Sequence, residues 1–576
     1  MLDLLTLLAF SLSVAPVAAE ETHHQTKHIW ALYAYTTNGE SLPKVFPHPR
    51  ALTAYGAHQL EVAGIVFRDH YVSLGYATET GYATETGTTR VENLSPYVLD
   101  NDDVKIGATA DAAVLASAQA FMQGAYPPLD TSFNSSFYNN ELELADGSVV
   151  TPPLGGYQYA PIITYGVSDP QSLALSAQAL CPRHAHANME YAASDEFRET
   201  YEELEPFYNR LHDLALSGYF DAMTSSYANA TAIWEYLSYQ AVHNESLLDT
   251  ISKEDIRRAR SYADKYVYAT NGGISAPITV KDGDIRAIAG SGLASSILDA
   301  FENTIEGRGA YGKMTLGFGS DKTAVSFVSL LGLPSIQYPN FYSLPNPGAS
   351  IVLELYSYEN ETYPTYPDPA DMFVDFRFRN GSADGMRFIP YPFFGLGGGN
   401  YGMHFNEFKA ELQRLALGSA SDWCQRCNST AVFCSGVNGL SREGVDRVHK
   451  NNNGLSLAVA GIIGAAVTIG VLTLAAVAAF FCSRTKKVRK PSFGGFKGSS
   501  KMASDTDLTF SKSQWDDDLK VPAAAARRHE RHGSLELSDR ASPSQLSPGV
   551  LSFADEIEEE WRIHSGAEPT RAREHV

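Results

Sequence analysis

Positive charge is scarce in this chain: 44 Lys and Arg stand against 66 Asp and Glu over 576 residues, a formal net charge of −22. A phosphate backbone needs a basic surface, so nucleic acid is excluded as a partner, while an acidic balance fits a soluble extracellular surface. Cysteine is scarcer still, with five in all. Cys181, Cys424, Cys427 and Cys434 lie ahead of a long apolar run, an even number that allows two disulfides in an oxidising compartment. Cys424-Gln-Arg-Cys427 has the spacing of a redox or zinc motif, but no second ligand pair follows at zinc spacing, and a structural disulfide is the favoured reading. Cys482 sits just past the apolar run, as a plain thiol or an acylation site. No metal and no cofactor is expected.

Charge is missing altogether from Leu455 to Phe481, which is rich in Ala, Val, Leu, Ile and Gly. At about 1.5 Å per residue this run reaches roughly 40 Å as a helix, enough to cross a hydrocarbon core of about 30 Å with some tilt. Arg484, Lys486, Lys487, Arg489 and Lys490 follow at once and place the C-terminal side in the cytoplasm. The first 19 residues are apolar, carry Asp3 with no Lys or Arg, and end in Val17-Ala18-Ala19. They read as a cleaved signal peptide, with an N-terminal anchor as the alternative. Asparagine is absent beyond the span, whereas Asn134, Asn229, Asn244, Asn360, Asn380 and Asn428 all open Asn-x-Ser/Thr before it, with Asn93 a weaker case ahead of Pro96. The expected topology is a single-pass type I membrane glycoprotein, by default of the plasma membrane.

Between these ends the pattern alternates. His28 to Tyr35 is an apolar strand, Thr53 caps a helix through Leu60, Val62, Ile65 and Val66, and an Ala-rich helix is expected over Thr109 to Met122. Gly75 to Thr80 is repeated at Gly81 to Thr86, a local duplication in a polar loop. Residues 190 to 270 read as helical, around Glu196 to Leu216, Trp234, and Ile256 to Tyr266. Alternation returns with a helix at Leu293 to Phe301, a strand at Lys313 to Phe318, a helix at Thr323 to Leu331, and strands at Ala349 to Tyr356 and Met372 to Phe378. The fold class expected is α/β, with a mixed, mainly parallel sheet flanked by helices and an inserted α-helical cap. The tail from Ser483 onward has few aliphatic residues and reads as disordered, with Ser534, Ser542 and Ser547 as candidate phosphosites.

Several segments together resemble the histidine acid phosphatase branch of the histidine phosphatase superfamily. Leu52 to Gln59 resembles that family's Leu-Thr-x-x-Gly-x-x-Gln helix start, and Ser117 to Gly124 with Tyr126-Pro-Pro128 resembles the helix after its second strand. Ser320-Asp321-Lys-Thr323 before Leu330 to Pro334 sits where the family has its His-Asp motif, and Ala349 to Leu355 and Val374 to Gly381 resemble its later strands. The resemblance covers about residues 27 to 435. It implies an ectodomain over 20–435, with a core at about 27–130 and 285–435 and a cap at about 180–285. A stalk at 436–454, the span at 455–481 and a tail at 482–576 complete the organisation.

The resemblance also implies where chemistry belongs. In the family a His after the first strand attacks phosphorus, three Arg and a second His neutralise the phosphoryl oxygens, and an acid beside the second His protonates the leaving oxygen. The Arg-His-Gly-x-Arg-x-Pro motif aligns with Thr37-Asn38-Gly39-Glu40-Ser41-Leu42-Pro43, so the arginines fall on Thr37 and Ser41 and the nucleophile on Asn38. The third Arg falls on Gly107, the second His on Ser320, and the acid remains as Asp321. An amide nitrogen has no available lone pair, so no intact catalytic set is expected. The expectation is a pseudophosphatase that binds an extracellular ligand or partner, with a tail open to cytoplasmic partners. A weak acid phosphatase centred on Asp321 and a structural surface glycoprotein are the alternatives. His48 and Arg50 lie near enough to the altered loop to supply anion binding. Arg531-His532-Gly533 repeats the family tripeptide by chance in the tail, and the Arg183-His-Ala-His186 pair lacks a third metal ligand.

Overall fold

The computed structural model describes residues 26–73, 90–129, 143–150, 152–273, 285–359, 365–383, 385–397 and 401–439. The first 19 residues, the Gly75–Thr86 duplication, Asn134, Asn360, the 455–481 run, Cys482 and the tail lie outside the described residues. Among the described residues, no helix is long and apolar enough to cross a membrane.

The first strand, β1 (Thr26–Thr37), is buried from Ile29 onward on both faces. Leu32 and Ala34 face one apolar cluster and Ala31, Tyr33 and Tyr35 the other, as a period of two requires. The pairing register shifts between Ile29 and Ala31, and this irregularity puts Trp30 on the same face as Ala31. Next come α1 (Ala54–Tyr71), β2 (Val104–Thr109) and α2 (Ala112–Ala125). Thr53 caps α1 by accepting the Gly56 N–H at 2.9 Å. The Ala-rich helix expected from Thr109 starts three residues later. Thr109 ends β2, and Asp111 takes the cap position by accepting the Ala113 N–H at 2.9 Å.

After β3 (Ile162–Tyr165) the chain builds a helical cap from α3 (Pro182–Ala192), α4 (Asp195–Leu211), α5 (Ala230–His243) and α6 (Lys253–Asn271). Its own core includes Phe207, Leu211, Ile233, Leu237 and Ile256. The helix expected as far as Leu216 stops at Leu211 and passes into a wider turn over His212–Leu216. The core then resumes with α7 (Ile288–Glu306), β4 (Met314–Gly319), α8 (Asp321–Leu330), β5 (Ser350–Glu359), β6 (Phe373–Arg379), β7 (Ile389–Tyr391) and β8 (Gly402–His404). Helices α9 (Phe405–Leu415), α10 (Ala420–Cys427) and α11 (Val432–Gly439) follow.

The sheet runs β3-β2-β4-β1-β5-β6-β7, with β8 also on β6. Strands β3, β2, β4 and β1 are parallel, but β1–β5, β5–β6, β6–β7 and β6–β8 are antiparallel. The sheet is therefore mixed, as expected, but it is not mainly parallel. The strands after α8 are joined without covering helices, and such connections favour antiparallel neighbours. Ser350 pairs with Thr36 and Glu359 with Thr26, so β5 starts where β1 stops.

Cys181 bonds Cys427 and Cys424 bonds Cys434. The two sulfurs of the Cys-x-x-Cys run thus have different partners, and Cys181–Cys427 ties the start of the cap to α10. Among the described residues, no cluster of three His, Cys, Asp or Glu is placed to hold a metal ion.

Toward the amino end of β1 lies a buried charge network. Lys27 Nζ reaches Glu354 at 2.6 Å and Asp375 at 2.7 Å, Arg377 Nε reaches Glu354 at 2.8 Å, and the Tyr71 hydroxyl donates to Glu354 at 2.8 Å. Burial and the neighbouring Glu354 push the Asp375 carboxyl up to about 7. Burial would also raise Glu354, but Lys27 and Arg377 outweigh it and hold that carboxyl below its usual range. Removing one member of such a set leaves the others buried without compensation, which costs about 3–5 kcal/mol. Glu354→Gln is expected to lower unfolding stability by that order, read from denaturant midpoints. A loss below about 1 kcal/mol would show that the network carries little stability.

Candidate functional site

The carboxyl ends of β1, β4 and β2 lie side by side, with Thr37 paired to Gly319 and Gly107 to Gly317. Residues 37, 38, 107, 320 and 321, far apart in sequence, thereby converge on one edge of the sheet. That edge is the crevice where open α/β sheets bind ligands.

Each position that the resemblance singles out can be placed there. Thr37 is buried and donates its hydroxyl to the Asn346 carbonyl at 3.1 Å. Asn38 Nδ2 donates to the Gly39 carbonyl at 2.8 Å. Gly39 is required by close approach: a Cβ there would stand 2.4 Å from the Gly56 carbonyl oxygen, and one on Gly56 would stand 2.1 Å from that of Glu40. The loop after β1 is thus pressed against the first turn of α1. At Gly107 a Cβ would meet a ring carbon of Tyr165 at 2.9 Å, so Tyr165 stands where a side chain at 107 would begin. The Ser320 carbonyl accepts the Tyr35 hydroxyl at 2.9 Å, and Asp321 opens α8, its carboxylate accepting the Lys322 N–H at 2.8 Å.

Ser41 is 7% exposed, and Arg50 lies against it. Arg50 Nε donates to Ser41 Oγ at 3.1 Å, one terminal nitrogen donates to Asp111 at 3.0 Å, and the other stands 3.8 Å from Glu235 on α5. A guanidinium does therefore reach the altered motif, as its position in sequence suggested, but two carboxylates already hold it. His48 is exposed on the same loop. Burial raises the Glu235 carboxyl above its usual range; Lys44 and Arg50 oppose that rise, and Asp321 adds to it. Glu235 is thus the carboxylate on which Lys44, Arg50 and Asp321 all act.

Asp111, Glu235 and Tyr165 escaped the sequence reading. Asp111 carried a signal, an Asp directly before an Ala-rich run. Glu235 and Tyr165 carried none, because their contacts depend on how cap and edge strand fold back. The residues of the Arg183–His186 stretch are not brought together as a metal pair. His184 is buried while His186 is exposed and pairs with Glu190 at 3.3 Å, since positions two apart on a helix face different ways.

The sequence model of the histidine phosphatase superfamily (branch 2) matches residues 34–367, more than half of the chain. The chain belongs to this family. No curated protein matches it. Among solved structures, it is similar to the phytase of Klebsiella sp. ASR1, with 14% identity over 68% of this chain and 98% of that one and a TM-score of 0.45. The phytase from D. castellii shows 14% identity over 70% and 83%, with a TM-score of 0.40. A Bifidobacterium longum multiple inositol polyphosphate phosphatase in complex with inositol hexasulfate shows 14% identity over 68% and 94%, with a TM-score of 0.38.

Gly39 and Gly107 carry unequal constraints. Gly39→Ala drives a Cβ into backbone and is expected to cost about 1–3 kcal/mol. Gly107→Ala meets the side of a tyrosine ring that can yield, and is expected to cost less. Thermal unfolding of the two variants side by side checks the order; equal losses would contradict it.

Proposed function

We propose that this family member is a type I membrane glycoprotein whose histidine-phosphatase ectodomain is catalytically inactive and acts by binding a ligand or partner. The observation that carries the reading is the state of the crevice. The family positions hold Asn38, Ser41, Gly107 and Ser320, and the guanidinium that reaches them, Arg50, is bound by Asp111 and Glu235. Losing one oxyanion donor costs a factor of about 10²–10³ in rate, and losing a nucleophile about 10⁶ in a serine protease. These losses are not additive, but here the nucleophile and the cationic cradle are altered together. An amide at 38 cannot form a phosphoenzyme, and the position before the acid Asp321 holds Ser320, not an imidazole.

Membrane anchorage rests on the uncharged 455–481 run, the basic residues that follow it and the placement of sequons ahead of it. Asn244 and Asn428 are exposed, which suits glycans. Asn229 is half-buried and donates from Nδ2 to the Thr224 carbonyl at 2.9 Å. Asn380 is half-buried, with its side-chain oxygen accepting the Asn346 N–H at 3.0 Å and Ser382 only 5% exposed. Glycopeptide mass spectrometry on protein from a secretory host is expected to find Asn244 and Asn428 occupied and Asn380 bare. A fully occupied Asn380 beside bare Asn244 and Asn428 would reverse this ranking.

The activity test uses the full-length chain in detergent with p-nitrophenyl phosphate at acidic pH, and inorganic phosphate by calorimetry. No turnover above buffer and no phosphate binding are expected. Turnover abolished by Asp321→Asn would establish a working phosphatase and end the inactive reading.

A further inference from the structure

We propose that residues 42–51 form a strap that locks the cap onto the core and gates the carboxyl-end crevice. The proposal concerns access and holds whether or not the crevice turns over phosphate.

The strap is pinned at its base. Leu42 N–H donates to the Ala51 carbonyl at 2.9 Å, and Ser41 and Leu52 form an antiparallel bridge. Both ends therefore belong to the core, as in a compact surface loop closed at its neck. Its tip belongs to the cap. Val45 and Phe46 pack against the apolar cluster of the cap helices. The Phe46 ring lies 5.0 Å from Tyr219, 5.3 Å from Tyr239 and 6.1 Å from Tyr236, the last two edge-on and all three spacings favourable for aromatic pairs.

Polar contacts fasten the same seam. Glu235 on α5 is reached by Arg50. His243, at the end of α5, meets Glu40 at 2.6 Å while stacking on Tyr239 at 4.3 Å. Glu40 is held from the core side by Thr53, whose hydroxyl donates to it at 2.8 Å. The strap thus crosses the mouth with Arg50 over Ser41 and an aromatic anchor in the opposite wall. Ser41 lies beneath that guanidinium and is 7% exposed. It is uncovered when the Phe46 tip leaves its socket and α5 is freed.

The experiment places a thiol beneath the strap. Full-length protein carrying Cys482→Ser and Ser41→Cys is treated with N-ethylmaleimide, and labelling is followed by mass spectrometry, alone and with Phe46→Ala added. Slow labelling is expected with the strap intact. Phe46→Ala should accelerate it about tenfold or more, because removing the half-buried ring and its aromatic contacts raises the open population by that order. Hydrogen exchange on the Ser41 protein provides the second reading: Phe46→Ala should raise exchange in 40–53 and 230–243 together while β1 and β4 stay protected. Fast labelling with the strap intact, or unchanged labelling and exchange in a folded Phe46→Ala protein, would overturn the gate. So would equal loss of protection in β1 and β4, which would make Phe46 a general stability residue.

Discussion

A strand buried on both faces must have its backbone paired on both edges, and β1 meets that demand with β4 parallel on one side and β5 antiparallel on the other. That double pairing sets the register of everything at the two ends of the strand. At the amino end it brings Lys27 to Glu354 and Asp375, so that buried charge is compensated within the sheet. At the carboxyl end it delivers Thr37 beside Gly319 and throws the following loop against α1. The crevice exists because three parallel strands, β2, β4 and β1, stop at the same level.

At the carboxyl end of the sheet the Arg50 guanidinium aims at carboxylates of the protein, Asp111 from the core and Glu235 from the cap. Its charge joins two parts of the fold, and the Tyr165 ring stands where a side chain at 107 would begin. The loop that carries Arg50 also carries Phe46, which packs against the cap helices.

Much of the scaffold was readable from local pattern. The apolar run of His28 to Tyr35, the Thr53 cap and the Ser117–Gly124 helix are short-range features, and each appears where its residues place it. Boundaries were less secure. Alanine at 110, 112 and 113 reads as helix from Thr109, yet strand pairing with β3 claims that residue and Asp111 competes successfully for the cap. The sense of the sheet beyond β1 was misjudged for a related reason: apolar runs such as Ala349 to Tyr356 look alike whether their neighbours are parallel or antiparallel. At the site, Arg50 was visible as a cation near the altered motif, but Asp111 and Glu235 as its partners were not, since they come from elements that follow it by about 60 and 185 positions.

By itself, then, the order of residues determined the alternating elements, the even set of cysteines ahead of the apolar run, and the absence of histidine and arginine from Thr37 to Pro43, because each depends on side-chain type and short spacing alone. Which cysteine bonds which, how the strands after α8 run, and where the charge of Arg50 goes were decided only in three dimensions. Those outcomes are set by which surfaces meet once the chain has closed on itself, and the energy of an ion pair or a ring contact depends on distance in space rather than separation along the chain.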